Sequence, residues 1–396
     1  MSALTIVGGV YHEKCAWPEW NQIYGSAGRA AAAIVGRVSH IKLVSYSTPR
    51  KDEEVQRIAK LYGFEWEPVP ADQTVSFDYV HSMSRPSISP PRETVTENKA
   101  IEIDADVVLR FGMIEGTAKI AAKYCVYDPQ SPFHAEPFSQ NGSIAAHLAV
   151  IGNQAEVCAM GHNLDWSLAA QSILEGGAEV VVVKRGVKGA TVLEAHGRLT
   201  VPPFQSDRVF TVGSGDVFAA IFAAEWGANG KSPQVAAELA SRSVAAYVDS
   251  MALPIPDEAV LTSQVQHPVS ATSGRVYLAG PFFNIAQRWL VDESRRCLFE
   301  LGMDVFSPVH DVGAGPAELV APADIKAIDD CDLMFALLDG LDSGTIFEVG
   351  YARAKGKPVY ALAQNVSDED LKMIVGSGCR VGYDLVTMLH KLVWRI

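Results

Sequence analysis

Short apolar runs alternate with segments of helical period along most of the chain. Leu4 to Val7, Ile41 to Ser45, Asp106 to Leu109, Tyr124 to Tyr127 and Val180 to Lys184 read as buried strands. Between them the spacing predicts helices at Arg29–Val38, led in by Gly25-Ser-Ala-Gly28, and at Glu53–Tyr62. Further helices are expected between the 106–109 and 124–127 strands, from Ser143 to Val150, from Leu164 to Glu175, from the Val212–Asp216 turn to Trp226, and over Pro233–Val248. Asp128-Pro-Gln-Ser-Pro132 ends one strand, Lys188 to Val201 reads as a hairpin, and the polar stretch 68–96 mixes turns with short strands such as Val75–Val80. Repeated β-α units imply an α/β fold with a mostly parallel sheet wrapped by helices.

A second series follows. Pro254, Pro256 and Pro268, with Ser and Thr between them, mark a linker, giving domains at 1–262 and 275–396 joined by 263–274. Arg275–Phe283 runs as a strand into a Gly-Pro turn, followed by a helical stretch from Ile285 to Leu301 and a strand from Met303 to Phe306. A short helix carrying Asp324, Asp329 and Asp330 precedes an apolar strand, Leu333–Leu338, and then a helix that ends at Gly356 and Lys357-Pro358. Glu348 is expected in the first turn of that last helix, facing the crevice at the carboxyl end of the sheet where open α/β folds hold ligands. Alone, a glutamate there serves the helix dipole.

Its neighbours change that reading. The Tyr277-Leu-Ala-Gly280 turn, Gln287, Asp324, Asp332, Asp342 and the Glu348-x-Gly350-Tyr351-Ala352 block fall in an order and spacing that resemble the nucleoside 2-deoxyribosyltransferases, over nearly all of 275–396. The resemblance implies a smaller flavodoxin- or Rossmann-like α/β domain. It also implies that Glu348 attacks the anomeric carbon of a nucleoside, that Asp324 and Asp342 contact the sugar hydroxyl or protonate the base, that Tyr277 positions Glu348, and that Gly280 and Gln287 line the substrate. No cofactor is implied. The chemistry is coherent: charge develops on the sugar as an N-glycosidic bond breaks, a carboxylate can trap it, and a second carboxyl of raised pKa can protonate the leaving base. Water or a second base can then take the sugar.

In the first domain, Thr211-Val-Gly213-Ser214-Gly215-Asp216 places a glycine turn at a helix start, where backbone N–H groups suit an anion and Asp216 suits a proton acceptor. The turn resembles the signature of the ribokinase, or phosphofructokinase-B type, sugar and nucleoside kinases, with a weaker likeness from residue 3 to about 262. A ribokinase-like parallel-sheet sandwich is implied, with Asp216 as general base and Gly213, Ser214 and Gly215 as anion hole. ATP would lie near Lys184 and Gly186, and the Asn153-x-x-Glu156 pair would organise magnesium indirectly through Glu156. Three positions depart from the pattern: Glu13 and Arg29 stand in the substrate pocket for an aspartate and an asparagine, and Phe210 stands for the aspartate before the turn. Arg29 is expected to grip a phosphate or carboxylate. Trp17 and Trp20 could stack on a base or pack a lid.

Composition narrows the classes. With 48% hydrophobic and 20% charged residues the chain is globular, and a formal net charge of −13 without a basic block excludes general nucleic-acid binding. The six cysteines show no metal spacing or CxxC pair, and His12, His81, His134, His147 and His162 suggest no metal. His310-Asp311 lies where a crevice loop is expected. Neither leader nor membrane span is read at the start, so a cytoplasmic location is expected. The expected assembly is a homo-oligomer acting on small-molecule nucleosides, nucleotides or sugars: an enzyme of nucleoside metabolism that joins a kinase to a glycosidic-bond-cleaving domain, or the latter with an inactive, ligand-binding first domain.

Overall fold

The computed structural model describes residues 2–131 and 135–396; Pro132 and His134 lie outside the described residues. The chain divides into two compact units, one ending at Val269 and one spanning Ser270–Ile396. Each follows from where its apolar residues fall.

The N-terminal unit contains β1 (Ala3–Val7), β2 (His12–Trp17), β3 (Trp20–Ile23), α1 (Gly25–Ala33), β4 (His40–Ser47), α2 (Pro49–Tyr62), β5 (Glu65–Pro70), β6 (Ser76–His81) and β7 (Ser87–Ser89). It continues with β8 (Ile101–Phe111), β9 (Ala118–Asp128), β10 (Ile144–Asn153), α3 (Gln154–Met160), α4 (Trp166–Glu175) and β11 (Val180–Lys184). The hairpin β12 (Ala190–Glu194) and β13 (Gly197–Val201) follows, then α5 (Ser214–Phe222), α6 (Pro233–Ser250) and α7 (Glu258–Ser263). Nine strands form one sheet in the order β13-β12-β11-β10-β9-β8-β1-β4-β5, parallel except at the β12 and β13 edge. A smaller sheet, β3-β2-β6-β7, stands apart from it.

β11 shows why the sheet is buried on both sides. Val180 and Val182 belong to the core under α1, α5 and α6, whereas Val181 and Val183 belong to the core under α3 and α4. A run of β-branched residues with period two fills both cores at once, each valine contributing roughly 1.5–3 kcal/mol of burial.

Two expected helices are absent. Residues 112–117 form a loop between β8 and β9, and the expected Ser143–Val150 helix is strand β10. The 143–150 stretch holds three alanines, a strong helix former, yet it lies between parallel neighbours: Ile144 pairs with Ala121 and Ala149 with Val180. The ladder on two sides outweighs local propensity, worth tenths of a kcal/mol per residue. Helix α1 also begins earlier than expected, at Gly25, and ends at Ala33. Nor is the 263–269 stretch a free tether. Gln205 N–H donates to the His267 carbonyl and Val269 N–H to that of Pro203, while Thr272 N–H bonds Val393 in the second unit.

The C-terminal unit runs β14 (Arg275–Ala279), α8 (Ile285–Glu300), β15 (Asp304–Phe306), α9 (Pro308–Asp311), α10 (Ala317–Asp330), β16 (Leu333–Leu337), α11 (Ser343–Ala354), β17 (Val359–Leu362), α12 (Asp368–Gly376), β18 (Arg380–Gly382) and α13 (Leu385–Trp394). Its five strands are all parallel in the order β15-β14-β16-β17-β18. Numbered within the unit this is 2-1-3-4-5, the flavodoxin-like order, whose switch point lies between β14 and β16. Among the described residues no helix is long and apolar enough to cross a membrane.

Candidate active sites

The switch point of the C-terminal unit gathers the residues singled out there. Gly280 follows the last residue of β14, and an added Cβ there would stand 2.9 Å from Leu337 Cβ, so only glycine lets the two strand ends approach. Tyr277, fully buried on β14, stacks on Phe306 with ring centroids 5.5 Å apart. Its hydroxyl donates to Glu348 Oε1 at 2.7 Å.

Glu348 sits in the second turn of α11, not the first. Asp342 is the N-cap, its Oδ2 accepting from Thr345 N–H at 2.8 Å and from the Thr345 hydroxyl at 3.0 Å. The helix therefore starts at Ser343, about a turn before the sequence-based expectation, because Asp342 caps it. Burial pushes the Glu348 carboxyl up to about 7, and the nearby Asp324 and Asp342 add to the rise while the Tyr277 bond opposes it. Burial also holds the Tyr277 phenol well above its ordinary value, with Glu348 next. Asp324, in the middle of α10, has its carboxyl raised by burial, and its Oδ1 is buried without a hydrogen-bond partner.

Gln287 spans the two strand ends. Its Oε1 accepts from Phe283 N–H at 3.0 Å, and its Nε2 lies 3.9 Å from the Cβ position of Gly340. Asn284 caps α8 through Gln287 N–H, a role that the Asn-x-x-Gln spacing signals and that the motif reading missed. Asp332 is not at the crevice: it accepts from Arg275 N–H at the amino end of β14. His310 is held by Asp292 at 2.9 Å and by Ser307 at 3.0 Å, in a helical turn rather than a loop.

In the N-terminal unit, α5 begins at the expected glycine turn, with Gly213 as N-cap at φ 77°. Ser214 N–H already donates to the Thr211 carbonyl at 3.1 Å. Arg29 and Glu13 are brought to this turn, but not as a grip on a ligand. Arg29 has no exposed surface, and its Nη1 donates to Asp216 Oδ2 at 2.7 Å and to Glu13 Oε1 at 3.3 Å. Its Nη2 bonds Glu13 Oε2, and its Nε donates to the Tyr247 hydroxyl at 3.0 Å. Burial raises the Glu13 carboxyl and the guanidinium draws it back; Arg29 itself is held above its ordinary value despite burial, by Glu13 first. The other Asp216 oxygen accepts from Gln130 Nε2 at 2.8 Å. Gln130 and Tyr247 had carried no motif.

Lys184 reaches the same turn, 3.2 Å from the Cβ position of Gly215, and pairs with Asp128 Oδ2 at 2.5 Å. Burial raises the Asp128 carboxyl against the pull of Lys184. Asn153 and Glu156 form a reciprocal capping box on α3: Glu156 N–H donates to Asn153 Oδ1 at 2.9 Å and Asn153 N–H to Glu156 Oε2 at 2.7 Å. Gly186, at φ 55°, opens an exposed turn after β11. The residues thus suit ATP and magnesium in part: the Gly186 turn is open, whereas Lys184, Glu156 and Asp216 are each engaged within the chain. Phe210 is buried against Trp20, ring centroids 5.3 Å apart, so Trp20 packs the small sheet, while Trp17 is half exposed. A cavity of ≈ 410 Å³ between β10, α3 and α4 contains none of these residues.

Comparison with known proteins separates the two units by family. Residues 114–256 match the family model for pfkB family carbohydrate kinases, and residues 276–380 match that for nucleoside 2-deoxyribosyltransferases. The chain joins a pfkB-type domain to a deoxyribosyltransferase-type domain. A search of curated proteins finds no match. Similar solved structures include ribokinase from Thermotoga maritima, with 18% identity over 66% of this chain and 99% of that chain at a TM-score of 0.48. Phosphofructokinase-2 from Escherichia coli in complex with potassium gives 15%, 66%, 97% and 0.48. Fructokinase from Vibrio cholerae O395 with fructose, ADP and calcium ion bound gives 13%, 66%, 98% and 0.47. The deoxyribosyltransferase match spans Tyr277, Glu348 and Asp324, whereas the pfkB match begins after Glu13 and Arg29.

Proposed function

We propose that the deoxyribosyltransferase-type domain cleaves the N-glycosidic bond of a nucleoside-type substrate, with Glu348 as nucleophile. The observation that carries this reading is the Tyr277 to Glu348 hydrogen bond of 2.7 Å at the sheet's switch point. A Glu348 oxygen bonds the anomeric carbon as the carbon–nitrogen bond breaks, and the electron pair leaves with the base. The base takes a proton from a neighbouring carboxylic acid. Asp324 suits that role, since burial raises its pKa and one of its oxygens has no partner; Asp342 is committed to its helix cap and suits a sugar hydroxyl. Water or a second base then takes the sugar from Glu348, so hydrolysis and transfer share one first step.

The test is incubation with a panel of nucleosides and nucleoside 5′-phosphates, with products identified by mass spectrometry. Released base, and a sugar adduct on the peptide holding Glu348, are expected. Cleavage that survives Glu348→Ala rejects the reading.

For the pfkB-type domain, phosphorylation of a sugar or nucleoside by ATP with magnesium is what the family implies. A second reading, a ligand-binding and oligomerising module that transfers no phosphate, is favoured by the engagement of both Asp216 oxygens by Arg29 and Gln130.

A further inference from the structure

We infer that the acceptor pocket of the pfkB-type domain is closed by the chain itself, and that Arg29 is the residue that closes it. The inference rests on one part of the second reading above, that no phosphate is transferred, and gives that part a cause. An acceptor hydroxyl needs a free carboxylate oxygen to take its proton and room beside the glycine turn. Both Asp216 oxygens are already engaged, Oδ2 by the paired Arg29 guanidinium and Oδ1 by Gln130. The room is also taken: a Cβ on Gly213 would stand 2.1 Å from Arg29 Nε.

Arg29 is not poised to leave. Besides Glu13, Asp216 and Tyr247 it donates to the Gly25 carbonyl at 3.3 Å, so its three nitrogens are all engaged. Displacing the guanidinium would leave two buried carboxylates, Glu13 and Asp216, without their cation, and an uncharged sugar or nucleoside brings only hydroxyls in exchange. The end of β1 beside it is sealed in the same way. Tyr11 donates to Glu115 Oε2 at 2.5 Å and Lys51 Nζ to the Val10 carbonyl at 2.6 Å, all three side chains being buried. Polar groups that would otherwise meet a sugar are satisfied within the chain.

The experiment uses the full-length protein. With magnesium and ATP, a panel of pentoses, hexoses and nucleosides is expected to release no ADP above the acceptor-free rate. In parallel, arginine-labelled protein is followed by nitrogen-15 NMR, the Arg29 Nε–H signal being assigned by its loss in Arg29→Lys. Should that variant not fold, Tyr247→Phe, which removes the acceptor of this N–H, assigns the signal by its shift. The signal is expected to exchange slowly with water at pH 8 and to stay in place when sugar or nucleoside is added. ADP release that an acceptor stimulates and Asp216→Asn abolishes would overturn the inference, as would a fast-exchanging Arg29 signal or one that moves with sugar. Base release is recorded on the same protein: its absence beside a protected Arg29 refutes the glycosidic reading alone.

Discussion

Between Tyr277 and Glu348 one hydrogen bond opposes what burial does to the acid. With its carboxyl pushed up to about 7, Glu348 is partly protonated at neutral pH, and a nucleophile must be ionised. Base release is therefore expected to rise with pH through about 7. Tyr277→Phe removes the bond that holds the value down, and a hydrogen bond to a charged group is worth about 1.5–3 kcal/mol, so the acidic limb should move up by about one to two pH units. A pH–rate profile of the variant checks this; an unmoved limb would mean that Glu348 is not the titrating group. Glu348→Gln should lower base release by roughly 10³- to 10⁶-fold. Stability should move the other way. Because the folded pKa is raised, the stability that Glu348 contributes is present below its unfolded value and lost as pH rises through about 7. Thermal unfolding of Glu348→Gln should therefore lie above wild type at pH 8, on the order of a few degrees, and close to it at pH 4.5.

At the level of elements, α11 shows how a cap and a charge can be told apart. Asp342 both caps the helix and, by its charge, raises Glu348. Asp342→Asn keeps a good cap and removes the charge, so the acidic limb of base release should shift to lower pH with little change in melting temperature. Asp342→Ala should shift the limb the same way and also lose about 1 kcal/mol of stability. A limb that moves only with alanine would show that the cap, not the charge, sets the site. These elements also mark what the sequence can and cannot tell. The valine run of β11, the glycine turn at α5 and the Gly280 turn were legible because each leaves one local solution. β10 was not, since Ile144 to Val150 carries alanine and leucine at helical propensity and becomes a strand only through β9 and β11, contacts no local pattern encodes. Glu348 lies one helical turn further in than its sequence suggests, because Asp342 is the N-cap and can equally be a site carboxylate. The inward turn of Arg29 was illegible for a further reason: its partners Tyr247 and Asp216 lie more than 180 residues away along the chain.

On the scale of the whole molecule, the C-terminal unit leaves large apolar side chains in water next to its candidate site. Phe283 is 71% exposed, Ile285 89% and Phe347 60%. They lie on the turn after β14, at the first residue of α8, and beside Glu348 on α11, so the segments that bound the crevice are also the ones with uncovered apolar surface. Where such side chains are contiguous, they mark a surface that another molecule can cover. If a second copy of the chain is what covers them, a homo-oligomer is expected by sedimentation velocity. Replacing Phe283 and Phe347 together by serine should shift the protein towards the single-chain mass and reduce base release in step. Serine in place of phenylalanine at these exposed positions gives up ring contacts with Phe282 and Tyr351 and no fully buried side chain, so a folded, single-chain variant is the expected product. If that variant keeps wild-type base release, the crevice is complete within one chain and the aromatic residues serve assembly alone; if mass and activity fall together, the neighbouring copy closes the pocket over Glu348.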